Sequence, residues 1–135
     1  FEHAANRRQF GRAIVSFGAV QWHLSEIELA HAGLWELACD GLLRHLRGRL
    51  GEADALAIRV ATLECAAAAL RHGHQVLAAI GLCEEHDLAV LDRHVQPVLR
   101  RPFGLAATTA LLSGAVAEHG FDAIFPIEPV AVPAA

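Results

Sequence analysis

The chain has 135 residues and a mass of 14.4 kDa, which is the size of one ordinary domain. Its net charge of -4 and pI near 6.1 argue against the strongly basic surface on which nucleic-acid binding depends. Three widely spaced cysteines, Cys39, Cys65 and Cys83, form no C-x-x-C pair. They predict reduced thiols in a cytoplasmic protein rather than a disulfide framework or a zinc site.

The start of the chain and its residue usage lead to two further expectations. The sequence has no methionine and opens on FEHAANRR, which is compatible with the middle of a helix. We therefore expect a fragment, a processed product or the ordered part of a longer protein. All eleven basic residues are arginine and alanine is abundant, which is typical of a GC-rich bacterial genome.

Glycine and proline divide the chain into helical segments. Residues 1–10 are typical of the last turns of a helix that ends at Gly11, and Ser16 is a candidate cap for the next helix. From residue 20 to residue 46, apolar side chains recur every three or four positions and predict a long amphipathic helix. That stripe consists of Val20, Leu24, Ile27, His31, Leu34, Ala38, Leu42 and Leu46.

A second long helix is predicted over residues 52–79, with Gly81 stopping it. Its stripe consists of Leu56, Val60, Leu63, Ala67, Leu70, His74 and Leu77. A shorter helix begins near Asp87, and Pro97 should kink or end it. A last helix spans residues 105–119. Its apolar stretch, residues 105–117, is shorter than the roughly 20 residues of a membrane span.

These elements predict an all-α fold, an antiparallel up-and-down four-helix-type bundle with short extra helices and an extended C-terminal tail. The predicted domain covers residues 1–120, and residues 121–135 form the Pro-rich extended tail. Alanine-rich stripes of this length often pack against another subunit as well, so we expect an oligomer.

Nine histidines raise the question of a metal site. His72 and His74 are two residues apart on one helix and point to different faces, and no H-E-x-x-H motif is present. His31 and His74 lie on apolar stripes, where a hydrogen-bonded core histidine is the commoner role. We therefore predict no metal site.

Two segments resemble the acyl-CoA dehydrogenase family. Residues 7–14 read RRQFGRAI and precede Phe17 and Gln21, which is similar to the R-x-x-F-G-x-x-I…F-Q-x-V-Q signature of that family. Residues 75–81 read QVLAAIG where the family has Q-x-x-G-G-x-G. Glu85 and Arg93 follow at the family's spacing. The resemblance covers about residues 1–104 and lies in the family's C-terminal helical domain.

This resemblance implies an FAD-dependent oxidoreductase that removes two hydrogens from the α,β positions of an acyl-CoA thioester. It implies a dimer or dimer of dimers, homomeric or heteromeric, in which the helical domain supplies dimer contacts and part of the FAD site. Electron-transfer flavoprotein is the implied redox partner. The implied cofactor-binding residues are Arg7, Phe10, Gln75, Ala78, Ala79 and Gly81.

These residue types suit the task physically. The guanidinium of Arg7 offers a fork for pyrophosphate oxygens, and Phe10 offers an apolar face. Gly81 would shape the turn after the second long helix. The alternative for Arg7 and Arg8 is solvated charge near a helix end.

Four residues depart from the family pattern. Gly18 stands where the family has a cofactor-contacting glutamine, and the methyl groups of Ala78 and Ala79 replace the paired glycines. Pro102 occupies the usual position of the catalytic glutamate, so no catalytic base is predicted in this chain, which by itself is incomplete. An alternative is therefore a non-catalytic structural subunit of a heteromeric acyl-CoA dehydrogenase that has lost its FAD contacts. A helical scaffold unrelated to the family is a third reading.

Overall fold

The computed structural model describes residues 1–126 and confirms the all-α bundle, to which it adds one two-stranded hairpin. The helices are α1 (Glu2–Asn6), α2 (Gly18–Leu46), α3 (Glu52–Leu77), α4 (Asp87–Arg100), α5 (Leu105–His119) and α6 (Phe121–Ile124). The strands are β1 (Arg8–Gln9) and β2 (Arg12–Ala13), and short 3₁₀ helices occupy Ile14–Ser16 and Ala78–Leu82. The two long helices and α5 lie within two residues of their predicted bounds.

The long helices α2 and α3 form an antiparallel pair joined by a short loop. Gly41 near the end of α2 lies against the Ile58 side chain near the start of α3. At the other end of the pair, His23 of α2 meets His72 of α3. We call this second end the hairpin end, because β1 and β2 pack there, and the opposite end the loop end.

Helices α4 and α5 cover α3 one after the other. Leu88 at the start of α4 lies beside Gly73 near the end of α3. The Arg59 guanidinium donates hydrogen bonds to the carbonyl oxygens of Val98 and Leu99, at 3.1 and 3.0 Å. The last carbonyls of a helix have no partner within it, so Arg59 caps α4 and attaches it to α3. Helix α5 follows on the N-terminal half of α3.

The most enclosed side chains lie in two places. Ala4, Ile14 and Leu24 form a cluster at the hairpin end, with exposed fractions of 0%, 6% and 6%. Leu63 and Leu70 are buried in the middle of α3, as its predicted stripe required. Burying a leucine side chain stabilises the fold by about 1.5–3 kcal/mol, so these residues anchor the bundle.

The prediction of a helix over residues 1–10 is wrong after Asn6. Arg7 is extended, with φ -71° and ψ 129°, and the chain then turns back as the β1–β2 hairpin. Gly11 adopts φ 79° in the turn of that hairpin instead of closing a helix. Ser16 does not cap α2 either, because its hydroxyl donates to the Ala13 carbonyl at 2.7 Å.

The end of α3 also differs from the prediction. The helix stops at Leu77 because Ala78 takes φ 52° and ψ -134°, a conformation that breaks the helix before Gly81. Gly81 instead lies buried inside the following 3₁₀ helix.

Two predictions for the second half of the chain have mixed outcomes. Helix α4 continues through Pro97 and ends three residues later at Arg100. Phe121–Ile124 is a single helical turn rather than extended chain. Residues 127–135 of the predicted tail lie outside the described residues.

Candidate functional site

The β1–β2 hairpin presents the first predicted segment. Arg8 pairs with Ala13 and Gln9 with Arg12, which leaves Phe10 and Gly11 as a two-residue turn. Both turn residues have positive φ, 51° and 79°. Two-residue hairpin turns favour this geometry, because its twist matches that of the paired strands.

Phe10 projects from the tip of the hairpin and is 92% exposed. Its ring meets the ring of Phe17 edge to face, with centroids 6.2 Å apart, and the Arg12 guanidinium lies 4.1 Å from the Phe17 centroid. A bulky residue in the left-handed region costs about 1–2 kcal/mol. Backbone strain of this kind clusters at functional sites, so an exposed, strained aromatic residue is a candidate ligand contact.

Arg7 lies at the base of the hairpin with its backbone held on both sides. Its N–H donates to the His3 carbonyl at 2.9 Å, and its carbonyl accepts from the Ile14 N–H at 2.9 Å. The residue is exposed, as is Arg8. Within residues 1–126 neither guanidinium has a hydrogen bond or ion pair, so both remain available to an anion.

The second predicted segment forms the end of α3 and the turn after it. Gln75 is exposed, and Ala78 and Ala79 are exposed beyond it. Among the described residues, only Phe10 and Ala78 combine a side chain with a positive φ. Gly81 is buried, and a Cβ there would lie 2.9 Å from Leu77 Cβ and 3.3 Å from His74 Nδ1. Only glycine fits this position without a shift of its neighbours.

The fold brings the two segments to the same end of the bundle. Val76, which lies between Gln75 and Leu77, packs against the cluster of Ala4, Ile14 and Leu24. Ile14 directly follows β2, so that cluster joins the base of the hairpin to the end of α3. Arg7, Phe10, Gln75 and Ala78 are therefore exposed at the same end of the bundle, and we call the surface of this end the hairpin-end surface.

The sequence matches a family described as acyl-CoA dehydrogenase, C-terminal domain, over residues 1–100. The chain belongs to this family. It matches no curated protein and no solved structure. The match confirms the resemblance that the two motifs indicated, and it includes every residue of the hairpin-end surface.

The positions that depart from the family pattern lie in open surroundings. Gly18 begins α2, and a Cβ there would contact nothing within 4 Å. Pro102 is exposed in the link between α4 and α5, two residues beyond the matched region. Two residues that match the family's spacing, Arg93 and Glu85, are also exposed. The Arg93 guanidinium lies 3.6 Å from the carboxylate of Glu84.

A cavity of about 1430 Å³ opens at the loop end, far from the hairpin-end surface. Its lining includes Arg44, Arg47, Arg49, Asp54 and Phe121, and none of the six predicted cofactor residues. Four carboxylates line it beside the three arginines, so the charges nearly cancel. This cavity is therefore separate from the predicted cofactor residues.

Sequence reasoning missed a pair of histidines between the long helices. His72 is 3% exposed, and its Nδ1 lies 2.8 Å from Nδ1 of His23. Burial lowers the pKa of His72 below 6.5, the charges of Arg71 and His23 lower it further, and Glu26 opposes them. His72 lies off the predicted stripe of α3, so the apolar periodicity did not predict its burial. His23 shares a helical face with Ile27 and Leu34, and this position could have indicated that His23 faces α3.

Within residues 1–126, no group of three histidine, cysteine or carboxylate side chains is placed to hold a metal ion. No helix in that part of the chain is long and apolar enough to cross a membrane.

Burial raises the pKa of the Cys65 thiol, and all three cysteines are free.

Proposed function

We propose that this chain is the C-terminal helical domain of an FAD-dependent acyl-CoA dehydrogenase-type oxidoreductase and supplies part of its FAD site. One observation carries the proposal. Within residues 1–126, two non-glycine residues have a positive φ, and these residues, Phe10 and Ala78, lie one in each of the two motifs that resemble the family's cofactor-binding segments. Strained residues persist where the surrounding structure holds them, and they mark functional sites.

The residues at the hairpin-end surface fit the diphosphate and adenine portion of FAD. Arg7 presents a guanidinium of fixed charge that has no side-chain partner within residues 1–126, which suits pyrophosphate oxygens. Phe10 presents an exposed apolar ring, which suits a flat heterocycle. Gln75 adds an exposed amide that both donates and accepts hydrogen bonds. Gly81 allows the tight packing beneath this turn.

Ala78 supports the assignment in a second way. Its φ of 52° with ψ of -134° is a conformation that glycine adopts freely. This backbone would suit the glycine that the family's motif has at this position, and it therefore supports the proposal. The methyl groups of Ala78 and Ala79 are exposed and weaken close approach of a phosphate, so we expect lower affinity than a glycine pair would provide.

Bound FAD would accept the hydride in α,β-dehydrogenation of an acyl-CoA substrate. The residues of this chain would orient the cofactor and neutralise its diphosphate, while a carboxylate outside this sequence would act as base. Pro102, at the family's glutamate position, has no group that takes a proton. Electron-transfer flavoprotein is the redox partner that we propose, and the free thiols support a cytoplasmic location.

We also propose that the exposed apolar face of α2 supplies contacts to a second subunit, homomeric or heteromeric. Trp35, Leu42 and Leu46 are 62%, 59% and 74% exposed, and they follow one another at helical spacing. Exposed apolar patches of this kind mark protein–protein contacts.

In the full-length protein, Trp35→Glu should weaken self-association or partner binding at least tenfold in sedimentation. Glu36→Gln, one residue away, should leave it unchanged, and equal association of both variants would contradict the proposal.

The alternative is a non-catalytic structural subunit of a heteromeric dehydrogenase. Pro102, Gly18 and the Ala78–Ala79 pair favour it, because each departs from a position that contacts cofactor or substrate in the family. Retained Arg7 and Gln75 favour the FAD-binding function. The two functions differ in one measurable property, which is flavin occupancy.

The deciding experiment is a visible absorbance spectrum of the full-length protein, purified with its co-expressed partner. Flavin bands at near-stoichiometric occupancy are expected, with occupancy lowered in Arg7→Ala and Phe10→Ala. Arg47→Ala, an exposed arginine at the loop end, is the matched control. Ala78→Gly should raise occupancy. A colourless oligomer that stays colourless after incubation with FAD would leave the structural-subunit function.

A further inference from the structure

The contacts of His72 favour one arrangement of protons in the His23–His72 pair. The Arg71 guanidinium lies 3.4 Å from Nε2 of His72, and a guanidinium only donates hydrogen bonds. Nε2 of His72 therefore accepts, and its proton resides on Nδ1. That proton is donated to Nδ1 of His23 across 2.8 Å, so His23 carries its own proton on Nε2. Both rings are neutral in this arrangement.

A further proton has no favourable place in this pair. On His72 it would occupy Nε2 and face the Arg71 guanidinium. On His23 it would occupy Nδ1 and either face the N–H of His72 at hydrogen-bond distance or force the proton of His72 onto Nε2, against the Arg71 guanidinium. Glu26 is the acidic group that acts on His72, and it opposes the combined effect of Arg71, His23 and burial. An added proton therefore replaces an attraction with a repulsion.

The pair lies where the two long helices hold the hairpin. His23 directly precedes Leu24, which is buried in the cluster with Ala4 and Ile14. His72 lies one helical turn before Val76, which packs on the same cluster. The ring of Trp22 contacts both imidazoles, with centroids 4.9 Å from His23 and 5.2 Å from His72. Separation of His23 from His72 would therefore loosen the base of the hairpin.

We propose that the His23–His72 pair is a pH-sensitive latch between α2 and α3, closed while both rings are neutral and released by a further proton. The latch depends only on residues of this bundle and stands whether or not FAD binds. Its release opens the hairpin end before the remainder of the domain unfolds.

The sign of the pH effect follows from linkage. Because folding lowers the pKa of His72, the unfolded chain binds a proton more readily than the folded chain does. The contribution of His72 to the free energy of unfolding is therefore fully present above the unfolded pKa near 6.5, and it is lost as the pH decreases below that value. One such proton raises the unfolding equilibrium constant by up to about tenfold per pH unit in that range.

The first test is ¹⁵N NMR of the imidazole rings in the full chain at pH 7. The expected spectrum has an unprotonated Nε2 and a protonated Nδ1 on His72, with the reverse on His23. A spectrum with the proton of His72 on Nε2, or with either ring doubly protonated, would overturn the proposal.

The second test is urea unfolding between pH 8 and pH 5. Arg71→Gln, at an exposed position, should weaken the acid destabilisation because Nε2 of His72 then faces no cation. His72→Gln should weaken it further, and His31→Gln, an exposed histidine of α2, is the control with unchanged dependence. Equal pH dependence in the parent, Arg71→Gln and His72→Gln proteins would overturn the proposal. Amide exchange at Ile14 should lose protection on acidification before α5 does.

Discussion

The two halves of α2 carry the same apolar periodicity but meet different surroundings. Leu24 in the first half is 6% exposed, whereas Leu42 and Leu46 in the second half are 59% and 74% exposed. The hairpin-end cluster covers the first half, through Ile14 and Ala4. No described element covers the second half in the same way. Periodicity therefore predicts which side chains are able to become buried, and the neighbouring elements decide which of them are.

The strongest test of this difference is truncation of one leucine in each half. Leu24→Ala should destabilise the domain by about 2–5 kcal/mol, because it leaves a cavity in the enclosed cluster. Leu42→Ala should change the free energy of unfolding by less than about 0.5 kcal/mol in the dissociated chain. Urea unfolding at low protein concentration measures both values. Similar losses for the two variants would show that the second half of α2 is also covered.

Substitution of two glycines by alanine, one in close packing and one in open surroundings, tests the same difference between enclosed and exposed positions. Its expected effect on stability is smaller. Gly81→Ala at the hairpin end should destabilise the domain by about 1–3 kcal/mol, because its Cβ would lie 2.9 Å from Leu77 Cβ. Gly33→Ala in α2 meets no atom within 4 Å and should stabilise the helix by up to about 1 kcal/mol. Thermal unfolding gives the sign of each change. A stabilising Gly81→Ala would contradict the close packing of that turn.

The loop end depends on polar contacts, and their expected effect is the smallest. The buried Asp54 accepts from the Gly51 N–H at 2.8 Å, and its other oxygen lies 3.8 Å from the Arg44 guanidinium. Asp54→Ala should cost about 0.5–2 kcal/mol through loss of this cap at the start of α3. Asp40→Ala removes the exposed i, i+4 partner of Arg44 and should cost about 0.5 kcal/mol or less. Chemical denaturation separates the two, and equal costs would exclude a capping role for Asp54.

Motifs predicted the family better than they predicted the local structure of the segments that carry them. The family match confirms the resemblance, and both predicted segments lie at the hairpin end. Their chain conformation was missed, because a positive φ at Phe10 and Ala78 is unfavourable for those residue types. At Phe10 the pairing of β1 with β2 imposes the positive φ, because the two strands must be joined by a two-residue turn. The cofactor role of these residues stays a prediction.

By itself, the sequence determined the all-α class, the bounds of α2, α3 and α5 within two residues, and the family. Each of these depends on local spacing along one helix or on a motif within a few residues. Only the tertiary structure decided that Arg7 begins a hairpin, that Arg59 caps α4, and that His23 meets His72. The last two contacts join residues 39 to 49 positions apart in sequence, and the packing of α2, α3 and α4 against one another creates them. The hairpin is local, but its turn needs a positive φ at Phe10, which that residue type disfavours.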